Sequence, residues 1–301
     1  TNDSHICSGT DAVFTIVGSA NTTVTFSING ATPETILLDA AGEGVITVNN
    51  PTSDVTLTIS QLQVGSLVVV LNPVLTETIV VNPLGQLNTI ADQILCQDES
   101  TTAITFTTAN TLGTTTYTWT NDNTYIGLAA SSGGDVTGIA SFVAQNTTSA
   151  PITGTITVTP TYTNGGVSCI GENEIFTITV NPTPQITAKA AEICSGDTFI
   201  ITPEDGVLTD IVPLNTLYSW TISNNPNITG ASDQNNQTTI SQQLENLSGV
   251  VQTITYTITP IGPNDCTGNP FDLVVTVNPE PVIVDQVAST CSSIALDFNL
   301  G

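Results

Sequence analysis

Cysteines and acidic residues are the side chains of this sequence that could do chemistry, and the cysteines are the more regularly placed. They could serve as thiols, metal ligands or disulfides. No Cys-x-x-Cys pair occurs and His5 is the only histidine, so a zinc site is not expected. We predict disulfides, with buried reduced thiols as the alternative. The six cysteines are Cys7, Cys96, Cys169, Cys194, Cys266 and Cys291.

The spacing of four cysteines predicts two bridges. Cys169 and Cys266 lie at the same distance before Val180 and Val277, which end two matching segments. Each bridge would close a long loop within one repeat and add about 2–4 kcal/mol of stability. The predicted bridges are Cys96–Cys169 and Cys194–Cys266.

The two remaining cysteines have no partner in this scheme. The same offset in the first part of the chain falls on Val70, so Cys7 is predicted to be unpaired. Cys291 is predicted to pair with a residue beyond Gly301. The chain is then expected to be a piece of a longer protein.

Two groupings could in principle support catalysis. His5 and Cys7 are two residues apart, so strand alternation would let a base and a nucleophile share one face. Glu204, Asp205 and Asp210 are close enough in sequence for the paired carboxylates of a glycoside hydrolase. Three acids in an acidic chain are better explained as a solvated loop, and we predict that the protein is not an enzyme.

Oxygen-rich loops make calcium the more serious site hypothesis, because hard cations prefer carboxylate and carbonyl ligands. No Asp-x-Asp-x-Asp-Gly loop occurs, so solvent-exposed turn residues are the alternative. Calcium is therefore the one cofactor kept as a hypothesis. The acids in these loops are Asp98, Glu99, Glu204, Asp205, Asp210 and Asp265.

The charge balance excludes two classes of partner. Lys189 is the only Lys or Arg against 26 acids, and the net charge is -25. Binding to nucleic acid requires clustered cations, and attraction to an anionic membrane fails for the same reason. The longest apolar run, around residues 68–71, is too short to span a bilayer. We expect an exported, extracellular protein that neither binds nucleic acid nor inserts into a membrane.

The sequence repeats itself about every 100 residues, which is the size of a small domain. The tripeptide Val-Asn-Pro ends an alternating segment at Pro83, Pro182 and Pro279, and a cysteine follows each time. We predict three tandem domains. Their bounds are 1–83, 84–182 and 183–279, followed by the first strand of a fourth at 280–301.

Alternation of apolar and polar residues dominates each repeat. TTTYTWT at 114–120 and VVQTITYTITP at 250–260 are typical of strands with one buried face. Several short strands per repeat favour two packed sheets, so the predicted fold class is all-β, as tandem immunoglobulin-like sandwiches. Phe26, Trp119 and Trp220 occupy matching places and are predicted core aromatics, with a sugar-stacking platform as the alternative.

The segment that runs from Cys194 to Pro281 carries Cys-Ser-Gly, Tyr-Ser-Trp-Thr and Val-Val-Thr-Val-Asn-Pro. It resembles the PKD-like or immunoglobulin-like repeats of very large Bacteroidota surface proteins, among them gliding-motility adhesins of the SprB type. The resemblance covers the second and third repeats well and the first loosely. It implies type IX secretion, display on a Gram-negative cell surface, and adhesion to surfaces or polysaccharide. The partners that it implies are further repeats and the outer-membrane secretion and motility machinery.

Proline pairs follow the repeats at Pro182 and Pro184 and at Pro279 and Pro281. Because proline fixes φ, these connections should stay extended and hold the domains end to end. The predicted function is a stalk within a surface adhesin. Two alternatives remain: an array of carbohydrate-binding modules on a secreted hydrolase, and a calcium-dependent adhesion array.

Overall fold

The regular structure of the chain is built from β-strands. The computed structural model describes residues 4–280. Within that range the only helices are single 3-10 turns at Thr124–Ile126 and Pro263–Asp265. The predicted all-β fold is confirmed, whereas the fourth-repeat strand predicted at 280–301 lies, apart from its first residue, outside the described residues.

The strands follow one another in three groups. The first group is β1 (His5–Cys7), β2 (Ala12–Val17), β3 (Thr23–Ile28), β4 (Glu34–Leu37), β5 (Glu43–Val48), β6 (Val55–Val64) and β7 (Leu67–Asn82). The second is β8 (Gln93–Cys96), β9 (Ile104–Thr105), β10 (Thr114–Asn121), β11 (Gly138–Ile139), β12 (Ile152–Asn164), β13 (Val167–Ile170) and β14 (Glu174–Asn181). The third is β15 (Lys189–Cys194), β16 (Thr198–Ile201), β17 (Leu217–Ile222), β18 (Ile228–Thr229), β19 (Gln234–Gln237), β20 (Ile240–Gln243), β21 (Glu245–Asn246), β22 (Gln252–Ile261) and β23 (Phe271–Asn278).

The described residues divide into two compact units. Unit 1 comprises residues 4–146 and 152–180, and unit 2 comprises residues 147–151 and 181–280. Unit 1 contains the five-stranded sheet β1-β7-β6-β3-β4 and the sheet β10-β12-β14-β8, in which β13 also pairs with β12. The pairs β2–β5 and β9–β11 complete this unit. Unit 2 contains the sheet β15-β23-β22-β17-β19 and the pairs β16–β20 and β18–β21.

Each predicted repeat has its own hydrophobic core. The first core includes Phe14 and Phe26, from the β2–β5 pair and from the larger sheet. The second includes Trp119, and the third includes Trp220 and Tyr256. Unit 1 thus contains two cores and unit 2 contains one.

The alternating sequence explains the central strands. In β12 every second residue from Gly154 to Tyr162 is buried, and β22 buries Ile254, Tyr256 and Ile258 in the same way. Threonines fill most of the other face, because a β-branched polar side chain suits a strand in contact with water. These strands therefore have one core face and one polar face, as the sequence predicts.

In the first and third repeats the first strand runs parallel to the last strand. In the first repeat β1 pairs with β7, and Cys7 lies opposite Asn82. In the third repeat β15 pairs with β23, and Cys194 lies opposite Asn278. Both cysteines therefore lie beside the asparagine of Val-Asn-Pro, at the end of the repeat where the chain leaves it.

Candidate functional site

A disulfide joins the first repeat to the second. Cys7 at the end of β1 is bonded to Cys169 of β13, with an S–S distance of 1.98 Å and a Cα–Cα distance of 5.5 Å. The two residues are 162 positions apart in the sequence. Cys169 is buried. The bridge therefore ties the exit end of one repeat to the β12–β13 hairpin of the next.

This bridge corrects the pairing that the spacing predicts. Cys7 is not unpaired, and Cys169 cannot be bonded to Cys96 because its sulfur is taken by Cys7. Cys194 is an exposed free thiol, so the predicted Cys194–Cys266 bridge is also wrong. Cys96 and Cys266 each take part in a disulfide. Cys291, predicted to pair beyond Gly301, lies outside the described residues.

The strand register explains why the intradomain pairing fails. Cys194 lies opposite Asn278 at the end of β23, whereas Cys266 precedes the start of that strand at Phe271. Seven residues of strand span about 23 Å, but a disulfide requires a Cα–Cα distance below about 7 Å. The two cysteines of the third repeat are therefore at opposite ends of its last strand, too far apart to form a bridge with each other.

Hydrogen bonds and close backbone packing reinforce the junction around the bridge. The Asn82 side chain donates to the carbonyl of Asn164 at 2.9 Å, and the Asn164 amide donates to Asn82 Oδ1 at 3.1 Å. Asn82 is only 1% exposed. The Gly85 N–H donates to the Cys169 carbonyl at 3.1 Å. The first and second repeats are thus joined by partly buried hydrogen bonds as well as by the disulfide.

Gly165 at the tip of the β12–β13 hairpin makes room for His5. Its φ is +58°, and a Cβ at this position would lie 2.3 Å from the imidazole ring of His5. Only glycine is compatible with both conditions. Since the Cys7 sulfur is committed to a disulfide, the His5–Cys7 pair considered for catalysis has no nucleophile. His5 instead packs in the junction.

We predict that alkylation under native conditions, followed by mass spectrometry, will mark Cys194 and leave Cys7 and Cys169 unmarked until a reductant is added. The physical reason is that only a thiol can be alkylated, and Cys194 is exposed. A Cys194→Ser variant supplies the control for site assignment. Labelling of Cys169 before reduction would contradict the bridge.

The three aromatic residues predicted for the cores are all buried. Phe26, Trp119 and Trp220 are 6%, 7% and 3% exposed. The Trp220 indole N–H donates to the carbonyl of Ser232 at 3.0 Å. None of the three presents a ring face to solvent, so the sugar-stacking platform has no basis at these residues.

The acids predicted as calcium ligands do not converge. No group of three or more His, Cys, Asp or Glu side chains suited to a metal occurs within residues 4–280. Two of the acids instead order their own loops: Glu99 Oε2 accepts from the Cys96 N–H at 2.8 Å, and Asp205 Oδ1 accepts from the Val212 N–H at 2.9 Å. Asp98, Glu204 and Asp265 lie in turns, apart from one another in sequence. Asp210 has a different role.

Asp210 is the partner of the only basic side chain. Its carboxylate is buried and accepts from the Lys189 ammonium and from the N–H and hydroxyl of Thr187. Burial acts to raise the pKa of Asp210, but the hydrogen bonds from Lys189 and Thr187 and the lysine charge outweigh it, so the pKa lies below its ordinary value of 3.8. The pair joins β15 to the loop that precedes β17. It is a structural ion pair and not a catalytic carboxylate.

Two buried tyrosines make the third repeat sensitive to alkali. Burial, with the Asp210 charge as the second cause, raises the pKa of Tyr218 from 10.0 to about 12. Burial also raises the pKa of Tyr256, whose hydroxyl donates to Gln242 Oε1 at 2.9 Å. Folding therefore favours the neutral phenols.

We expect this preference to appear as a pH dependence of stability. Below pH 10 both the folded and the unfolded tyrosines are neutral and the contribution is fully present; it is lost as the pH rises from 10 through about 12. Denaturant unfolding of the third repeat, measured by tryptophan fluorescence across this range, checks it. Tyr218→Phe keeps the ring and removes the titrating group, so its stability should fall less. An equal fall would contradict the assignment.

One pair of functional positions was not recognised from the sequence. Asn146 and Asn246 are buried, and their side-chain amides donate to the carbonyls of Val180 and Val277, at 2.8 and 2.9 Å. Asn146 thus anchors a loop, and Asn246 anchors β21, each to the last strand of its own repeat. Their spacing of about one repeat was the available signal.

The fold defined by these features is that of tandem immunoglobulin-like β-sandwich repeats. Residues 191–281 match the family model of a PKD-like domain. No curated protein sequence matches the chain. Within residues 4–280, no helix has the length and apolar character needed to cross a membrane.

The chain also matches several solved structures at low sequence identity. The human desmocollin-1 ectodomain is 11% identical over 93% of this chain and 60% of that chain, with a TM-score of 0.38. Human CDH23 EC21-23 is 14% identical over 84% and 88%, with a TM-score of 0.36. The D00-D0 domain of intimin is 14% identical over 64% and 98%, with a TM-score of 0.33. This chain therefore spans 60% of the desmocollin-1 chain that it matches.

Proposed function

We infer that the chain is a non-enzymatic stalk segment of an extracellular adhesion protein, in which consecutive repeats are cross-linked. The observation that carries this proposal is the Cys7–Cys169 bridge, because it connects two repeats instead of stabilising one. Disulfides persist in oxidising compartments, which supports an extracellular location. A covalent link between the exit end of one repeat and a hairpin of the next suits a segment that transmits force.

The path of a pulling force follows from the position of the bridge. A load applied at the two ends of the chain passes from Cys7 through the sulfur atoms to Cys169, and bypasses the polypeptide between them. The β-strands in that bypassed segment are shielded from extension. The stalk is thereby limited in how far it can lengthen under load.

More specifically, we propose that this adhesion protein is a gliding-motility adhesin of the SprB type. The PKD-like match at residues 191–281 and the shared sequence pattern support it. On this proposal the protein leaves the cell by type IX secretion and is displayed on a Gram-negative surface. Its partners are further repeats, the outer-membrane secretion and motility machinery, and surfaces or polysaccharide.

The position of Cys194 indicates that cross-linking between consecutive repeats could continue along the chain. Cys194 and Cys7 occupy equivalent positions, opposite the asparagine of Val-Asn-Pro, but Cys194 is free. In a longer protein a hairpin cysteine of a following repeat would meet Cys194 as Cys169 meets Cys7. Cross-linking in series would then be a property of the whole stalk.

Single-molecule stretching tests the load path. In a Cys96→Ala/Cys266→Ala background, further replacement of Cys7 and Cys169 by alanine should lengthen the fully extended chain by roughly 50 nm, the contour of the bypassed residues. The matched control is Cys194→Ser in the same background, which should leave the length unchanged. An equal contour length with and without the bridge would overturn the proposal.

Solution scattering tests the stalk itself. End-to-end repeats should give a radius of gyration well above the roughly 19 Å of a compact chain of this length. A value near 19 Å would exclude an extended stalk, whatever the disulfides do.

A further inference from the structure

Two hairpins of this chain share one geometry but differ in what covers them. The β6–β7 hairpin of the first repeat and the β12–β13 hairpin of the second each turn through two residues. The first turn residue, Gly65 or Gly165, has a φ of +58° in both. A Cβ at Gly165 would meet His5 of the preceding repeat, whereas a Cβ at Gly65 would meet no other atom of the described chain within 4 Å. The second hairpin is thus covered by a repeat, and the first is not.

The strand register identifies the residue that corresponds to Cys169. Cys169 pairs with Tyr162 in the second repeat, and Val69 pairs with Leu62 in the first, each pair at the same distance from its turn. Val69 is therefore the structural counterpart of Cys169, although counting along the sequence gives Val70. Cys169 is 1% exposed and Val69 is 44% exposed. The first hairpin thus has an apolar side chain open to solvent where the second has a sulfur bonded to the preceding repeat.

The surface around Val69 is apolar and uncharged. Leu67, Val68 and Val70 are also exposed, and residues 55–76 contain no Asp or Glu although the chain has 26 acids. Contiguous apolar surface of this kind commonly marks a protein–protein contact. The net charge of -25 makes copies of the chain repel one another, and this surface is a place where that repulsion is locally weak.

A second exposed apolar surface lies at the exit end of the third repeat, in the loop between β21 and β22. Residues 246–264 contain no Asp or Glu. Three large apolar side chains of the loop are more than half exposed to solvent. They are Leu247, Val250 and Val251.

The sheet register places this loop beside Cys194. Val251 directly precedes Gln252, which pairs with Val277 on one side of β23. On the other side of β23, Cys194 lies opposite Asn278. Two strand spacings, about 10 Å, therefore separate Val251 from Cys194. Cys194 is the counterpart of Cys7, so the apolar loop lies next to the position at which the first repeat receives a hairpin.

We propose that the β6–β7 hairpin docks on the exit end of the third repeat of a second copy of this chain, as the β12–β13 hairpin docks on the first repeat. Val69 then takes the place of Cys169 and lies beside Cys194, so the contact is apolar and not covalent. Because each copy contributes a different surface, copies join head to tail and the contact can repeat. A following repeat of a longer protein would occupy the same exit end, so the two contacts are alternatives.

An introduced cysteine tests the contact directly. Val69→Cys places a sulfur where the second hairpin has one, so mild oxidation should bond it to Cys194 of another molecule and produce a ladder of multimers on a non-reducing gel. The matched control is Val70→Cys, which is at least as exposed but lies on the other face of the hairpin. It should cross-link about 10-fold less, since a disulfide requires the two Cβ atoms to face each other. All proteins compared also carry Cys291→Ser.

Addition of Cys194→Ser to Val69→Cys identifies the partner and should abolish the ladder. Multimers that persist would mean that two hairpins meet each other, and would overturn the proposal. Equal cross-linking of Val69→Cys and Val70→Cys, or a chain that stays monomeric, would overturn it too. None of these results bears on the load path through Cys7 and Cys169, which the stretching experiment tests separately.

Sedimentation velocity of the unmodified chain measures the non-covalent contact. Association should strengthen as salt is raised, because screening weakens the repulsion between acidic copies. Leu67→Asp should weaken association by about 10-fold, the effect of roughly one buried leucine lost to a charge. Leu112→Asp, which changes a leucine that is 94% exposed outside both surfaces, should leave it unchanged. Equal effects of the two leucine variants would contradict the assigned surface.

Discussion

Removal of the Cys7–Cys169 bridge should lower the free energy of unfolding of unit 1 by about 5 kcal/mol. The bridge closes a loop of 162 residues, and the chain entropy that such a loop removes from the unfolded state corresponds to about this amount. Two proteins are compared, and both carry Cys96→Ala and Cys266→Ala. In the second protein Cys7 and Cys169 are also replaced by alanine, which removes the bridge between the first and second repeats.

Differential scanning calorimetry measures the effect. With about 2–4 °C of melting temperature per kcal/mol in a domain of this size, the transition of unit 1 should fall by roughly 10–20 °C. Cys194→Ser in the same background is the control, since it alters a free thiol and no bridge. A shift below about 1 °C on loss of the bridge would show that the two repeats are not coupled through it.

Replacement of Lys189 by methionine should destabilise the third repeat by about 3 kcal/mol, because it leaves the buried Asp210 carboxylate without its counter-charge. The hydrogen bonds from Thr187 to Asp210 remain, so the loop that carries Asp210 keeps its position. The Asp210 charge, however, is no longer neutralised by lysine. A second change, Asp210→Asn, removes the stranded charge and should restore most of the loss. Denaturant unfolding followed by tryptophan fluorescence measures both effects.

The control for this prediction is Glu204→Gln, which neutralises an exposed acid of the same loop and should change stability by less than about 0.5 kcal/mol. The sign of the pH dependence provides a second check. The pKa of Asp210 is lowered by folding, so its contribution is fully present above pH 3.8 and is lost as the pH falls through the lowered value. The Lys189→Met/Asp210→Asn double variant should lack this loss of stability at low pH. If its stability fell with pH as much as that of the unmodified protein, the ion pair would be contradicted.

The fold was predictable from local pattern because strand burial is a local property. Alternation in β12 and β22 specified which face enters the core, and the matched positions of Trp119 and Trp220 pointed to buried aromatics. The tripeptide Val-Asn-Pro located the ends of β7, β14 and β23. Each of these inferences depends only on residues within a few positions of one another.

The candidate site was less predictable because its parts meet only through pairing between distant strands. Spacing suggested that Cys169 and Cys266 are equivalent, but it could not reveal that β1 runs parallel to β7 or that β15 runs parallel to β23. That parallel register moves the first cysteine of a repeat to the end opposite the second.

The sequence by itself therefore determined the all-β fold and which face of each central strand is buried, because apolar periodicity and turn residues act over short distances along the chain. The tertiary structure alone decided which cysteines bond. A disulfide depends on the separation of two Cα atoms in space, and in a sheet that separation is set by strand direction and register, which residue spacing does not encode.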